Sequence, residues 1–237
     1  MSGHSKWANI KRKKQANDLV KGNVFAKMSH LITLAVLEGG GIVEPENNVK
    51  LRLAIEKAKS ANMPKENIKR AIEKGSGPNK MLLKEIIYEG FGPHGVFLLI
   101  LSTTDNSNRT SSEIRNILEK HSGKLGNYGS VSYLFKKCAF VSFVKTEISE
   151  EIIFKIGEEL QAFDINEDDS HFFVFFPFNN FGLLKTHLNN IKYDIAEVDY
   201  LPTMPITIEP DKEKKILDIV EALESLDDIQ RVYTNLS

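Results

Sequence analysis

The chain has 237 residues, 41% of them hydrophobic and 27% charged, a balance that provides for a buried core and excludes wholesale disorder. Its apolar runs, such as Val96 to Leu101 and Phe172 to Phe176, are far shorter than the roughly 20 residues that cross a bilayer. The formal charge of −1 hides an asymmetry: residues 1–80 hold 16 basic and 7 acidic side chains, a net of +9, whereas the remainder holds 15 basic and 25 acidic.

The first residues, to about Lys14, set polar and basic side chains around Trp7 and Ile10, as in an arm or a loosely held helix. They lack the apolar stretch of a secretory signal. Phe25, Met28, Leu31, Ile32 and Ala35 recur at helical spacing and predict a helix over 23–38, stopped at Gly39-Gly40-Gly41. A second helix is expected over 48–61, with Leu51, Ala54, Ile55 and Ala58 on one face. A third starts at Pro64 and ends at Gly75, with Ile68, Ala71 and Ile72 inward. Ser76 to Asn79 reads as a linker. Three short helices with tight breaks predict a small helical bundle.

The period then changes to that of strands. Residues 85–91 and 96–103 flank Gly92-Pro93-His94-Gly95 as a hairpin. A helix over 110–121 follows, with Thr110 and Glu113 at capping-box spacing, and then a strand over 130–135. A further strand, helix, strand, helix and strand are expected at 139–144, 149–161, 171–176, 180–189 and 196–201. The chain closes with 205–208 extended, a helix over 211–226 and a strand over 229–234. The expected architecture is α+β in three domains: a basic helical domain over 1–80, an α+β sandwich from 81–135 and 205–237, and an acidic α+β unit at 136–204 inserted into it.

The densest chemical signal is Lys6-Trp7-Ala8-Asn9-Ile10-Lys11-Arg12-Lys13-Lys14. Lysine and arginine neutralise phosphates and release counterions, which gives affinity with little sequence reading. Trp7 either stacks on a base or packs in the bundle. Lys50, Arg52, Lys57, Lys59, Lys65, Lys69 and Arg70 form a second basic set, interrupted by Glu56, Glu66 and Glu73, so that it reads either as a contact surface or, in part, as ordinary surface pairing. Asn106 and Arg109 lie in a polar run before a helix. That run is either a capped loop or a place where backbone N–H groups and Arg109 meet a phosphate.

Signals for catalysis are poor. No phosphate-cradling Gly-x-x-x-x-Gly-Lys-Ser/Thr, no His-Glu-x-x-His and no Gly-x-Ser-x-Gly occurs, and no cofactor or metal is expected. Cys138 is the one cysteine. It reads as a buried structural thiol, and with no second cysteine the chain suits a reducing compartment, the cytoplasm. Glu167-Asp168-Asp169 reads as an exposed turn.

Several segments resemble the YebC/PmpR family. They are Gly3 to Lys11, Leu51-Arg52-Leu53-Ala54-Ile55, Asn62 to Ile68, Tyr88 to Pro93, Thr104 to Thr110, Gly129-Ser130-Val131, and Asp227 to Gln230 with Val232-Tyr233. The resemblance implies a helical N-terminal domain followed by two ferredoxin-like domains, one inserted in the other. It also implies a DNA-binding transcriptional regulator in the cytoplasm or, alternatively, a ribosome- or RNA-associated translation factor that relieves stalling at proline runs. It marks no catalytic residue and no cofactor. Gly41-Ile42-Val43-Glu44-Pro45 departs from the family's usual Gly-Gly-Asp-Pro, and 136–200 matches only loosely. DNA or ribosomal RNA is thus the expected partner, with the acidic unit open to a protein partner.

Overall fold

The structure is a computed structural model that describes residues 21–77, 82–188 and 191–236. The expected arm at 1–14 and the end of the 76–79 linker lie outside these residues. The described chain falls into two compact units. One runs up to Ser132 and resumes over Ile208–Thr234; the other comprises Tyr133–Thr207 with Asn235 and Leu236.

The first unit opens with three helices, α1 (Lys21–Glu38), α2 (Val49–Ser60) and α3 (Lys65–Ser76). Met28, Ile32, Ala35 and Val36 of α1 pack with Leu51, Ile55 and Ala58 of α2 and with Ile68 and Ala71 of α3. Asn48 serves both sides of the first break. Its Oδ1 accepts from Leu51 N (3.1 Å), capping α2, and its Nδ2 donates to the Ala35 carbonyl at the end of α1 (2.9 Å). This is the N-cap logic that satisfies an orphan donor. Gly75 lets α3 approach α1: a Cβ there would stand 2.7 Å from Val36 Cβ and 2.8 Å from the Thr33 carbonyl. Thr33 Oγ1 spans the same seam to the Ala71 carbonyl at 2.8 Å.

The helices lead into β1 (Lys84–Phe91), β2 (Phe97–Thr104), α4 (Ser107–Lys120) and β3 (Lys124–Leu125). After the interruption come α7 (Pro210–Glu224) and β8 (Ile229–Thr234). These strands form one antiparallel sheet in the order β3-β1-β2-β8. Buried Ile114 and Leu118 of α4, and Ile216, Ile219, Val220 and Leu223 of α7, supply the apolar side of these helices. Lys27 Nζ of α1 donates to the Glu224 carbonyl at the end of α7 (2.5 Å).

The second unit runs β4 (Phe135–Val144), α5 (Glu150–Glu159), β5 (Asp164–Glu167), β6 (His171–Pro177), α6 (Leu184–His187) and β7 (Ile195–Pro202). Its order, β5-β6-β4-β7, is all antiparallel, and βαββαβ in that order is the ferredoxin-like arrangement. Val141, Phe143, Val174 and Phe176 of the sheet pack with Ile153, Ile156 and Leu160. Phe140, Phe173 and Phe175 cluster with Cys138 on the alternate positions, as a period of two requires. Burial, with Asp199 adding and Lys136 opposing, pushes the Cys138 thiol up to about 12. A thiol held protonated in this way is structural, not nucleophilic.

The observed elements correct the expected ones in several places. The helix expected at 110 begins at Ser107 with Asn106 as its cap, so Thr110 and Glu113 form no capping box; Thr110 is buried inside the helix. Residues 130–134 are not a strand but a turn followed by a 3-10 segment at Ser132–Leu134. The helix expected over 180–189 is a 3-10 segment, Phe178–Leu183, followed by the short α6. The extended stretch at 205–208 makes only an isolated bridge between Ile206 and Leu236. Asp168, part of the expected acidic turn, turns its carboxylate inward to accept from the backbone N–H groups of Ser170 and His171, both at 2.8 Å.

Candidate nucleic-acid interface

Of the expected contact residues, Lys6, Trp7, Asn9, Lys11, Arg12, Lys13 and Lys14 lie outside the described residues. Arg52 sits half-buried on α2, and Lys65, Lys69 and Arg70 are exposed on α3. Lys50 of the same basic set is paired with Glu38 at 2.7 Å, but among the described residues none of these four makes an ion pair, nor does exposed Lys74. Their charges therefore stand uncompensated by contact, the state in which a cation attracts a polyanion most strongly.

A cleft of about 240 Å³ runs between α1 and α3. Phe25, Ala26 and Ser29 line one wall, and Met63, Asn67, Arg70 and Lys74 the other. Positions 67, 70 and 74 fall on one helix face because 3.6 residues complete each turn. The cleft thus gathers an apolar floor, a hydroxyl, an amide and two cations. It includes Arg70 but not Arg52, Lys65 or Lys69. The sequence reading missed Lys74 and Asn67, although the i, i+3, i+7 spacing was the signal that would have found them.

Asn106 and Arg109 meet a different environment. Asn106 Oδ1 accepts from Arg109 N at 3.1 Å and caps α4. The Arg109 guanidinium donates from Nη2 to Asp105 Oδ1 (2.9 Å) and to Asp228 Oδ2 (2.8 Å). Asp228 also accepts from Thr104 Oγ1 (3.0 Å) and Thr110 Oγ1 (2.7 Å). Burial works against its charge, but Arg109 and the two hydroxyls outweigh it and hold the carboxyl below its ordinary range. Arg109 is therefore an internal tie between α4 and the start of β8. A phosphate at this helix start would have to displace two carboxylates.

His30 of α1 lies in the field of the same cluster. Its Nδ1 is buried without a hydrogen-bond partner. Burial is the largest influence and lowers its pKa; Asp228, Asp105 and Asp227 pull the other way, and Lys74 adds to the lowering. The ring is neutral at pH 7.

The first unit thus joins a helical layer bearing unpaired cations to an antiparallel sheet, and the second is a ferredoxin-like unit. No helix among the described residues is long and apolar enough to cross a membrane. The description "TACO1/YebC protein N-terminal domain" matches residues 5–78, and "TACO1/YebC second and third domain" matches residues 83–236. A probable transcriptional regulatory protein of Caldanaerobacter subterraneus is 42% identical over 240 residues, covering 100% of this chain and 98% of the relative. One of Borrelia turicatae is 41% identical over 239 residues, covering 100% and 97%. The crystal structure of a conserved hypothetical protein from Aquifex aeolicus superposes with a TM-score of 0.82 at 37% identity, covering 93% of this chain and 91% of that one. The chain belongs to the TACO1/YebC family.

Proposed function

We propose that this chain is a DNA-binding transcriptional regulator that grips phosphates through its basic helical layer. The observation that carries the reading is the set of unpaired cations on α2 and α3, two of which border the cleft with α1. The names of the relatives, probable transcriptional regulatory proteins, support it. In this reading Arg70 and Lys74 hold the backbone at the cleft, and Arg52, Lys65 and Lys69 extend the field. Residues 1–14 add Lys6, Lys11, Arg12, Lys13 and Lys14, with Trp7 and Asn9 among them. The division into 1–80, 81–135 with 205–237, and 136–204 belongs to the same proposal, as do a cytoplasmic location, the absence of catalysis and a protein partner for the acidic unit.

A second reading makes the target ribosomal RNA, with the chain acting as a translation factor. It draws on the same unpaired cations, because phosphate contacts give affinity without telling one polyanion from another. Crosslinking combined with ribosome co-sedimentation of the full chain decides between the two. Recovery on promoter DNA and not on ribosomes supports the first reading. Recovery on the large ribosomal subunit without DNA rejects it.

A further inference from the structure

The loop after β3 is held by a buried carboxylate. Glu89, on β1, is 2% exposed. Its Oε1 accepts from Gly129 N at 2.7 Å, and its Oε2 accepts from Ser132 N at 2.8 Å and from Val131 N. The Glu89 carbonyl also accepts from Gly126 N at 2.7 Å. Within the loop, Ser130 Oγ donates to the Asn127 carbonyl at 2.7 Å. Gly129 has φ +85°, a left-handed conformation in which a side chain would be strained. Burying a carboxylate is costly, and three charge-assisted bonds to one short segment offset that cost and fix its shape.

At the tip of this fixed loop stands Tyr128, 93% exposed. Among the described residues it makes no hydrogen bond and no ring contact. Packing therefore does not explain a tyrosine here, and with the adjoining backbone held by Glu89 only the side chain is left to order on binding. From Lys120 to Ser132 the charged side chains are Lys120 and Lys124, with no acidic residue, although residues beyond 80 are acidic in sum. Exposed Glu119 stands just before this stretch, and Glu89, the carboxylate that holds the loop, is buried beneath it.

We propose that Tyr128 is a stacking contact for an unpaired nucleobase, with the adjoining phosphates held by Lys124 and Lys120. An aromatic face stacks on any base sequence-tolerantly, but base faces inside a duplex are already covered by their neighbours. The ligand class is therefore single-stranded nucleic acid or an unpaired position in a folded one. This inference rests on the nucleic-acid reading above and extends it to a second contact, carried on the sheet and not on the helical layer.

The test uses the full chain and fluorescein-labelled 12-nucleotide probes as single-stranded DNA, single-stranded RNA and blunt duplex. Tyr128→Ala is expected to weaken single-strand binding by about 5–10-fold. It leaves duplex affinity within about twofold, and Tyr128→Trp restores single-strand binding. The salt slope stays as in the native chain, because stacking releases no counterions. The DNA and RNA arms report which strand chemistry the loop prefers. Native-like single-strand binding by Tyr128→Ala overturns the inference while leaving the phosphate reading intact, and points the loop toward a protein contact. An equal weakening on duplex and single strand overturns it as well. A native chain that binds none of the probes defeats the underlying reading instead.

Discussion

Arg109 and Asp228, 119 positions apart in the chain, meet through an Nη2–Oδ2 hydrogen bond of 2.8 Å. The two ends of this bond differ: the Asp228 side chain is 5% exposed and that of Arg109 is 47% exposed. Removing the carboxylate leaves Thr104, Thr110 and Arg109 without their shared acceptor. Removing the guanidinium leaves Asp228 with two hydroxyl donors. Arg109→Gln is therefore expected to cost about 3 kcal/mol in chemical denaturation, because it leaves a buried carboxylate without its cation, and Asp228→Ala about 1–2 kcal/mol, because it leaves the Thr104 and Thr110 hydroxyls without their acceptor while Arg109 keeps Asp105. Equal destabilisation in the two variants would contradict this asymmetry.

Glu89 gives the acid limb of the stability profile. Burial disfavours its charge, but the N–H groups of Gly129, Val131 and Ser132 prevail and lower its pKa from 4.5. The unfolded chain then takes up the proton first as pH falls. The stabilisation is complete above about pH 4.5 and disappears as pH drops through the lowered native value. Glu89→Gln is expected to cost about 2–3 kcal/mol at pH 7. The gap between native and variant should narrow as pH falls below 4.5 and through the lowered native value. A gap that is constant with pH would show that the carboxylate charge is not what holds the loop.

His30 acts in the same direction at a higher pH. Its native pKa lies below the ordinary 6.5 because burial outweighs the pull of Asp228, Asp105 and Asp227. The unfolded chain again binds the proton more readily. Stability is complete above pH 6.5 and falls as pH drops through the lowered value, by at most about 1.4 kcal/mol per unit. Replacing His30 by Gln should flatten the profile below pH 6.5. An unchanged slope would assign that limb to other groups.

The cleft cations are tested by salt. Arg70→Gln with Lys74→Gln should flatten the plot of log affinity against log salt by roughly 0.7–0.9 for each phosphate that is no longer neutralised. Arg109→Gln should leave the slope alone, since its charge is taken up by Asp105 and Asp228. If Arg109→Gln flattened it and the double variant did not, the phosphate site would lie at the start of α4.

These contrasts show where the sequence was legible. Helices α1, α2 and α3 followed from period, glycines and proline, because each boundary is a local event: Asn48 caps the helix three residues ahead of it. The start of α4 misled because Thr110 and Glu113 fit a capping box by spacing, whereas Asn106 is the cap and the Thr110 hydroxyl serves Asp228. Residues 130–135 looked like a strand from their apolar alternation, yet the N–H groups of Val131 and Ser132 belong to Glu89, more than forty positions earlier. Strand β5 went unseen because Asp164-Ile165-Asn166-Glu167 carries a single apolar residue, and its identity rests on pairing with β6. In the candidate interface the basic residues were readable one by one. Their grouping was not, since α1 supplies a wall of the cleft that no spacing within α3 encodes.

The interruption of the first unit also sets a timetable. Thr104 and Asp228 hydrogen-bond directly but stand 124 positions apart, roughly 6–25 s of synthesis at about 5–20 residues per second. During that interval β2 has an unfilled neighbour slot that β8 will later occupy. The second unit has all its strands within 135–202 and can pair them before β8 exists. The second unit can thus complete its sheet before the first does, and the edge awaiting β8 is the last sheet edge to be filled.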